Sequence, residues 1–195
     1  DHSRFLTRTN RRVGRISYAG AEAASQNINP AVMREGVVVQ MTWPGAPTVY
    51  YGDEAGMVGW TDPDNRRSYP WGKQDWELIE FHKDMIRIHK KYECFRSGSY
   101  KSIASGSHWI CYGRFNKKLQ AVILINNRRE TLTVDLPIWQ IGILENACLK
   151  RVVQTTQSTY NVGEVMERAE DGILHVTVGP QTASVYIAAR NVEEN

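Results

Sequence analysis

Three carboxylates, a paired arginine and several aromatic rings crowd one short stretch of the chain: Asp53, Glu54, Asp62 and Arg66, flanked by Trp60, Tyr69 and Trp71. Carboxylate oxygens accept, and guanidinium N–H groups donate, two parallel hydrogen bonds. Asp62 and Arg66 could therefore grip a ligand through vicinal hydroxyls, while Trp60 and Trp71 could offer flat apolar faces to a ring. The plainer readings are an ion pair that shapes a turn and aromatic rings packed against helices. Trp43, ahead of this stretch, reads as a core residue.

These side chains need a scaffold. Pro44 and Pro47 exclude helix, Val49-Tyr50-Tyr51 is a short run of strand formers, and Gly52 permits a sharp turn at its end. If that strand were parallel and part of a β/α barrel, the loop after it would lie on the catalytic face. Upstream, Asn29-Pro30 is an N-cap with proline at the first helical position, and Met33, Val37, Val38 and Met41 continue at helical spacing. Downstream, residues 76–92 place Leu78, Phe81, Met85, Ile88 and Tyr92 on one face. Acidic Asp75 and Glu77 open that helix and basic Lys90 and Lys91 close it.

After Gly98 the period changes to two. Trp109, Cys111 and Gly113 alternate with Ile110, Tyr112 and Arg114. Leu132, Val134 and Leu136, and later Leu174, Val176 and Val178, alternate with polar residues, so half-buried strands are expected. Turn signals at Asn116, Asn126-Asn127, Asp171-Gly172 and Gly179-Pro180 suit an antiparallel sandwich. The expected organisation is a β/α part over residues 1–96 and an antiparallel β domain over residues 97–195.

The motif Gly45-x-Pro47-x-x-Tyr50-Tyr51-Gly52-Asp53-Glu54 resembles the eighth-strand motif of the alpha-amylase family of glycoside hydrolases. Asp62-Pro63-x-x-Arg66 resembles the sugar-binding loop that follows it there. The opening Asp1-His2-Ser3-Arg4 is similar to the family's His-Asp-x-x-Arg motif at the end of the seventh strand, without its leading His. Within the family the motifs are most similar to those of neopullulanases and amylopullulanases. The resemblance implies the last part of a (β/α)8 barrel, from the end of strand seven to the final helix, followed by an antiparallel β-sandwich.

It implies chemistry as well. Asp1 matches the carboxylate that stabilises the oxocarbenium-like transition state, Arg4 pairs with acidic groups nearby, and Asp53 and Glu54 support the site. Asp62 and Arg66 hold glucose units; beside them Trp60 and Trp71 are read from their residue type as candidates for stacking on sugar faces, with packing against helices as the alternative. The parent's reaction would be retaining hydrolysis or transfer of α-glucosidic bonds in starch- or pullulan-type glucans. Retaining enzymes of this kind use two carboxyl groups about 5 to 5.5 Å apart. In the family both come from earlier strands, so the chain alone is expected to be inactive. The rival expectation is a carbohydrate-binding, non-catalytic module. No cofactor is implied by this chain; the family often binds calcium through a subdomain that precedes these residues.

A whole barrel takes roughly 250 residues, so the 195 residues here read as a fragment whose partner is the N-terminal part of the barrel. Without it, dimerisation, strand exchange or disorder over residues 1–74 is expected. A net charge of +3 fits a folded globular chain, and the run Arg8, Arg11, Arg12, Arg15 lacks any accompanying nucleic-acid-binding motif. No stretch is long and apolar enough for a membrane helix. Cys94, Cys111 and Cys148 lack metal-ligand spacing and read as ordinary, at least partly buried thiols, and His2, His82, His89, His108 and His175 form no ligand set.

Overall fold

In the computed structural model, residues 2–12 and 14–189 are described. Helices α1 (Phe5–Arg8), α2 (Ile16–Ala19), α3 (Pro30–Thr42), α4 (Trp76–Lys91) and α5 (Cys94–Ser97) precede eight strands. These are β1 (Ser99–Gly106), β2 (Trp109–Phe115), β3 (Leu119–Asn126), β4 (Leu132–Pro137), β5 (Cys148–Thr155), β6 (Tyr160–Arg168), β7 (Ile173–Val178) and β8 (Thr182–Ala189). Six strands form one antiparallel sheet in the order β1-β2-β3-β8-β5-β6, and β4 pairs with β7 in a second.

Local chemistry accounts for both long helices. Asn29 caps α3 by accepting from the backbone N–H groups of Ala31 and Val32, at 3.0 and 3.3 Å, with Pro30 in the first turn. Asp75 caps α4 by accepting from the Leu78 N–H at 3.0 Å. The apolar stripe of α4 and the residues Met33, Val37, Val38 and Met41 of α3 are all buried. They pack on one face of the large sheet, against Ala121, Ile123, Ile125, Val185 and Ile187. The opposite face, carrying Val122, Leu124 and Tyr186, packs on Leu132, Leu136, Leu174 and Val176 of the small sheet. The result is three layers: helices, large sheet, small sheet.

Two expectations are corrected. Val49-Tyr50-Tyr51 is not a strand: the segment from Ala46 is irregular and residues 51–56 are turn. A strand needs a hydrogen-bonded neighbour, and none lies beside this segment among the described residues. Gly52 takes φ +84°, and a Cβ there would lie 1.9 Å from the Met57 sulfur, so both backbone and space require glycine. Strand β2 is not half-buried. Cys111 and Tyr112 face opposite layers and both are enclosed, because β2 sits inside the sheet with a layer on each side. Strands β4 and β7, covered on one face only, keep the expected alternation.

A buried arginine ties the helical part to the sheet. Arg114 of β2 donates to the carbonyls of Thr42, at the end of α3, and Gly98, at 2.7 and 3.0 Å, while the Tyr112 and Thr42 hydroxyls meet at 2.7 Å. Arg114→Met keeps the bulk but leaves two carbonyls without that donor. Urea denaturation should show a loss of about 3 kcal/mol; an unchanged midpoint would mean that the guanidinium does not join the two parts.

Among the described residues no helix is long and apolar enough to cross a membrane. Cys94 and Cys111 are buried, which pushes the Cys94 thiol up to about 11 and raises that of Cys111 too. Cys148 is exposed, unlike the buried or partly buried thiol expected: it is the first residue of β5 and belongs to neither buried cluster.

Candidate functional site

The loop between Gly52 and Asp75 is organised by residues far from it in sequence. Arg4, buried just before α1, donates through Nε to the Asn65 carbonyl and through Nη1 to the Tyr51 carbonyl, both at 2.6 Å. The same Nη1 meets Asp53 Oδ1 at 3.0 Å. Its guanidinium lies 4.0 Å from the Tyr50 ring centre and 4.7 Å from that of Tyr51. One cation therefore ties the start of the loop to its middle and stacks on two phenol rings, an arrangement suited to arginine's planar fork.

Burial raises the Asp53 carboxyl, with the Arg4 hydrogen bond and charge opposing the shift. Glu54 follows, with Oε2 buried and without a hydrogen-bond partner. Burial lowers His82 despite the nearby Glu54 and Asp53, and its Nδ1–H donates to the Leu78 carbonyl at 2.8 Å. Loss of water, and then the Glu54 charge, raises the Tyr69 hydroxyl.

Asp62 and Arg66 form a two-point ion pair, Oδ1 to Nε at 2.8 Å and Oδ2 to Nη2 at 3.0 Å, on an exposed turn. A second pair, Asp64 with Arg67, not foreseen from sequence, lies within the same turn. Asp64 accepts from Arg67 Nη2 at 2.8 Å and from the Trp60 backbone N–H at 2.7 Å. Burial alone would raise this carboxyl, but Arg67 and the Trp60 N–H hold it below its ordinary value. Arg67 also donates to the Ala21 carbonyl at 2.7 Å, anchoring the turn to the segment after α2. The Asp64-x-x-Arg67 spacing within one turn was the available signal; its burial was not.

The two tryptophans separate. Trp60 is 1 % exposed, its indole N–H donates to the Gly20 carbonyl at 2.9 Å, and its ring lies against Gly14. This corrects the expectation that Trp60 stacks on a ligand: its ring is enclosed in the packing of the loop and offers no free face. Trp71 is 80 % exposed, with its ring 4.6 Å from that of Tyr69. Asp1 lies outside the described residues. Among the described residues no hydrogen bond or ion pair joins Trp71 to Asp62 or Arg66. The arrangement thus offers an exposed paired carboxylate and guanidinium, plus an exposed indole, on a loop pinned from beneath by Arg4, Asp64 and Arg67.

Over 118 residues the chain is 36% identical to neopullulanase 2 of Thermoactinomyces vulgaris, covering 58% of this chain and 20% of that protein. Over 107 residues it is 33% identical to an amylopullulanase of Thermoanaerobacter thermohydrosulfuricus, covering 51% and 7%. An Anoxybacillus alpha-amylase superposes with a TM-score of 0.69 at 28% identity, over 90% of this chain and 36% of that one. The chain belongs to the alpha-amylase family of glycosidases. No protein-family model matches it. This alpha-amylase family chain spans a fifth or less of the length of those two curated relatives. A Geobacillus thermoleovorans alpha-amylase, solved with acarbose, shares the fold at a TM-score of 0.72 and 24% identity. The family's antiparallel C-terminal sandwich is present here as β1 to β8. Among the described residues no group of three or more His, Cys, Asp or Glu could hold a metal ion.

Proposed function

We propose that this chain is the end of a catalytic (β/α)8 barrel, residues 1–96, with its following β domain, residues 97–195, from a retaining enzyme acting on α-glucosidic bonds of starch- or pullulan-type glucans. The observation that carries this reading is the exposed Asp62–Arg66 pair, held on the same pinned loop as the exposed Trp71. A carboxylate and a guanidinium fit vicinal hydroxyls, and an indole fits the C–H face of a pyranose. Arg4, Asp53 and Glu54 position this loop from below. Asp1 is assigned the role of stabilising positive charge at the anomeric carbon. The nucleophile and the general acid come from earlier strands, so this chain binds glucan without cleaving it.

The exposed apolar side chains of Phe5, Val49, Tyr50 and Tyr51 are to be covered by the N-terminal part of the barrel. In its absence a second copy of the chain would serve.

Titrating the ¹⁵N-labelled chain with maltotriose tests the binding role. The Trp71 indole N–H resonance should shift saturably, and Trp71→Ala and Arg66→Ala should each weaken binding about tenfold, the size expected for one stacked ring or one charged hydrogen bond. A Trp71 signal indifferent to maltotriose, or an Arg66→Ala chain that binds as well as the original, would remove the loop as a glucan site.

A further inference from the structure

The arginine run near the N-terminus has no part in the glucan site, and the fold brings one of its members to an open cleft of about 500 Å³. Arg11, just beyond α1, lines one wall. His108 in the β1–β2 turn lines a second, and Asn127, Arg128, Arg129 and Glu130 in the β3–β4 turn line a third. Segments far apart in sequence thus gather three guanidinium groups and an imidazole around one space, with a single carboxylate among the lining residues. Asp62, Arg66 and Trp71 lie elsewhere.

The two turns are fixed from beneath. Asn126, fully buried, donates through Nδ2 to the carbonyls of Glu130 and Gly179, at 3.0 and 2.8 Å, and accepts from the Arg128 N–H at 3.2 Å. The Arg128 carbonyl accepts from the Gln181 N–H at 3.0 Å. Asn127 ties the turns to each other and to α3: its backbone N–H donates to the His108 carbonyl at 2.9 Å, and its Nδ2 donates to Glu35 Oε2 at 2.8 Å. The cationic groups are therefore brought together when the chain folds, so a ligand does not bear the cost of ordering the backbone that carries them.

Charge selects the ligand's class. Arg128 is paired with Glu130 at 2.8 Å, an exposed pair that water and salt weaken. Among the described residues Arg11 and Arg129 take part in no ion pair. Three guanidinium groups against one carboxylate leave two positive charges in excess, and like charges gathered at one cleft raise the local attraction for an anion. Guanidinium forks match the paired oxygens of a tetrahedral oxyanion. A dianion cancels the whole excess, a monocarboxylate cancels half of it, and a neutral sugar cancels none.

We propose that this cleft is a binding site for a tetrahedral dianion of the phosphate type, held between Arg11 and Arg129 with Arg128 beside them. The volume is about seventeen waters' share of liquid, which accommodates such an ion together with bridging waters. The inference does not depend on the glucan reading, since neither the ligand nor the residues are shared.

The full chain, ¹⁵N-labelled and titrated with inorganic phosphate above its second ionisation, tests this at constant ionic strength set with sodium chloride. The backbone amides of His108, Arg128 and Arg129 should shift saturably with a Kd in the millimolar range. Sulfate should act alike, and acetate should bind about tenfold more weakly. Arg11→Gln and Arg129→Gln should each weaken phosphate about tenfold, the size of one charged hydrogen bond, although the two residues belong to different segments. Glu130→Gln, which removes the competing carboxylate, should tighten it about threefold. Arg15→Gln removes the same charge outside the cleft and should change nothing. Shifts that grow linearly without saturating, equal binding of acetate, or equal weakening by Arg15→Gln would reduce the effect to the general field of surface arginines and overturn the site. Undiminished binding by either Arg11→Gln or Arg129→Gln would overturn it as well.

Discussion

Arg4→Met is expected to cost about 4 kcal/mol, the loss typical of removing one partner from a buried ion pair. The side chain is buried, donates to two loop carbonyls and to Asp53, and covers two phenol rings. Methionine restores the volume but not the fork, so Asp53 would be left desolvated beside unpaired carbonyls. Denaturant unfolding measures the total, and hydrogen exchange over residues 51–67 locates it. Asp53→Asn in the Arg4→Met background should recover part of the loss, because no uncompensated charge then remains. If Arg4→Met were within about 0.5 kcal/mol of the original, as an ordinary surface change would be, the loop would have to be held by something other than this cation.

The second large effect is a dependence on pH. Glu35 of α3 is 2 % exposed; Asn127 donates to its Oε2 at 2.8 Å, and Oε1 has no partner. Burial pushes its carboxyl up to about 8, with the Asn127 hydrogen bond opposing. The folded chain therefore holds the proton more tightly than the unfolded chain. The resulting stability is fully present below the ordinary carboxyl range near pH 4.5, and is lost as pH rises through about 8. Each unit of difference is worth about 1.4 kcal/mol, so a loss of several kcal/mol between pH 5 and pH 9 is expected. Glu35→Gln keeps the shape and removes the titration. Urea midpoints of that variant should vary much less over the same range; if its pH profile matched that of the original chain, the ionisation would belong to another group.

The sequence by itself determined the parts governed by neighbours along the chain. Helices α3 and α4 were legible because their caps, Asn29 and Asp75, and their apolar spacing act within a few residues. Strands β4 and β7 were legible because a strand covered on one face writes an alternation into its residues. The loop between Gly52 and Asp75 could be located from its carboxylates, arginines and rings, and the family from its motifs.

Tertiary structure decided what each of those residues faces. Cys111 and Tyr112 point to opposite sides of β2, and only the presence of a layer on each side buries both. Val49 to Tyr51 has strand-forming residues but no neighbour to bond among the described residues, so propensity alone leaves it irregular. Trp60 and Trp71 are the same residue type on the same loop, yet the first is enclosed beside Gly14 and Gly20 and the second faces solvent. Arg4, Glu35, Arg34 and Arg114 become buried only when the chain folds over them. Their energetic weight comes from desolvation, and desolvation is a property of what packs around a group, which spacing along a sequence does not record.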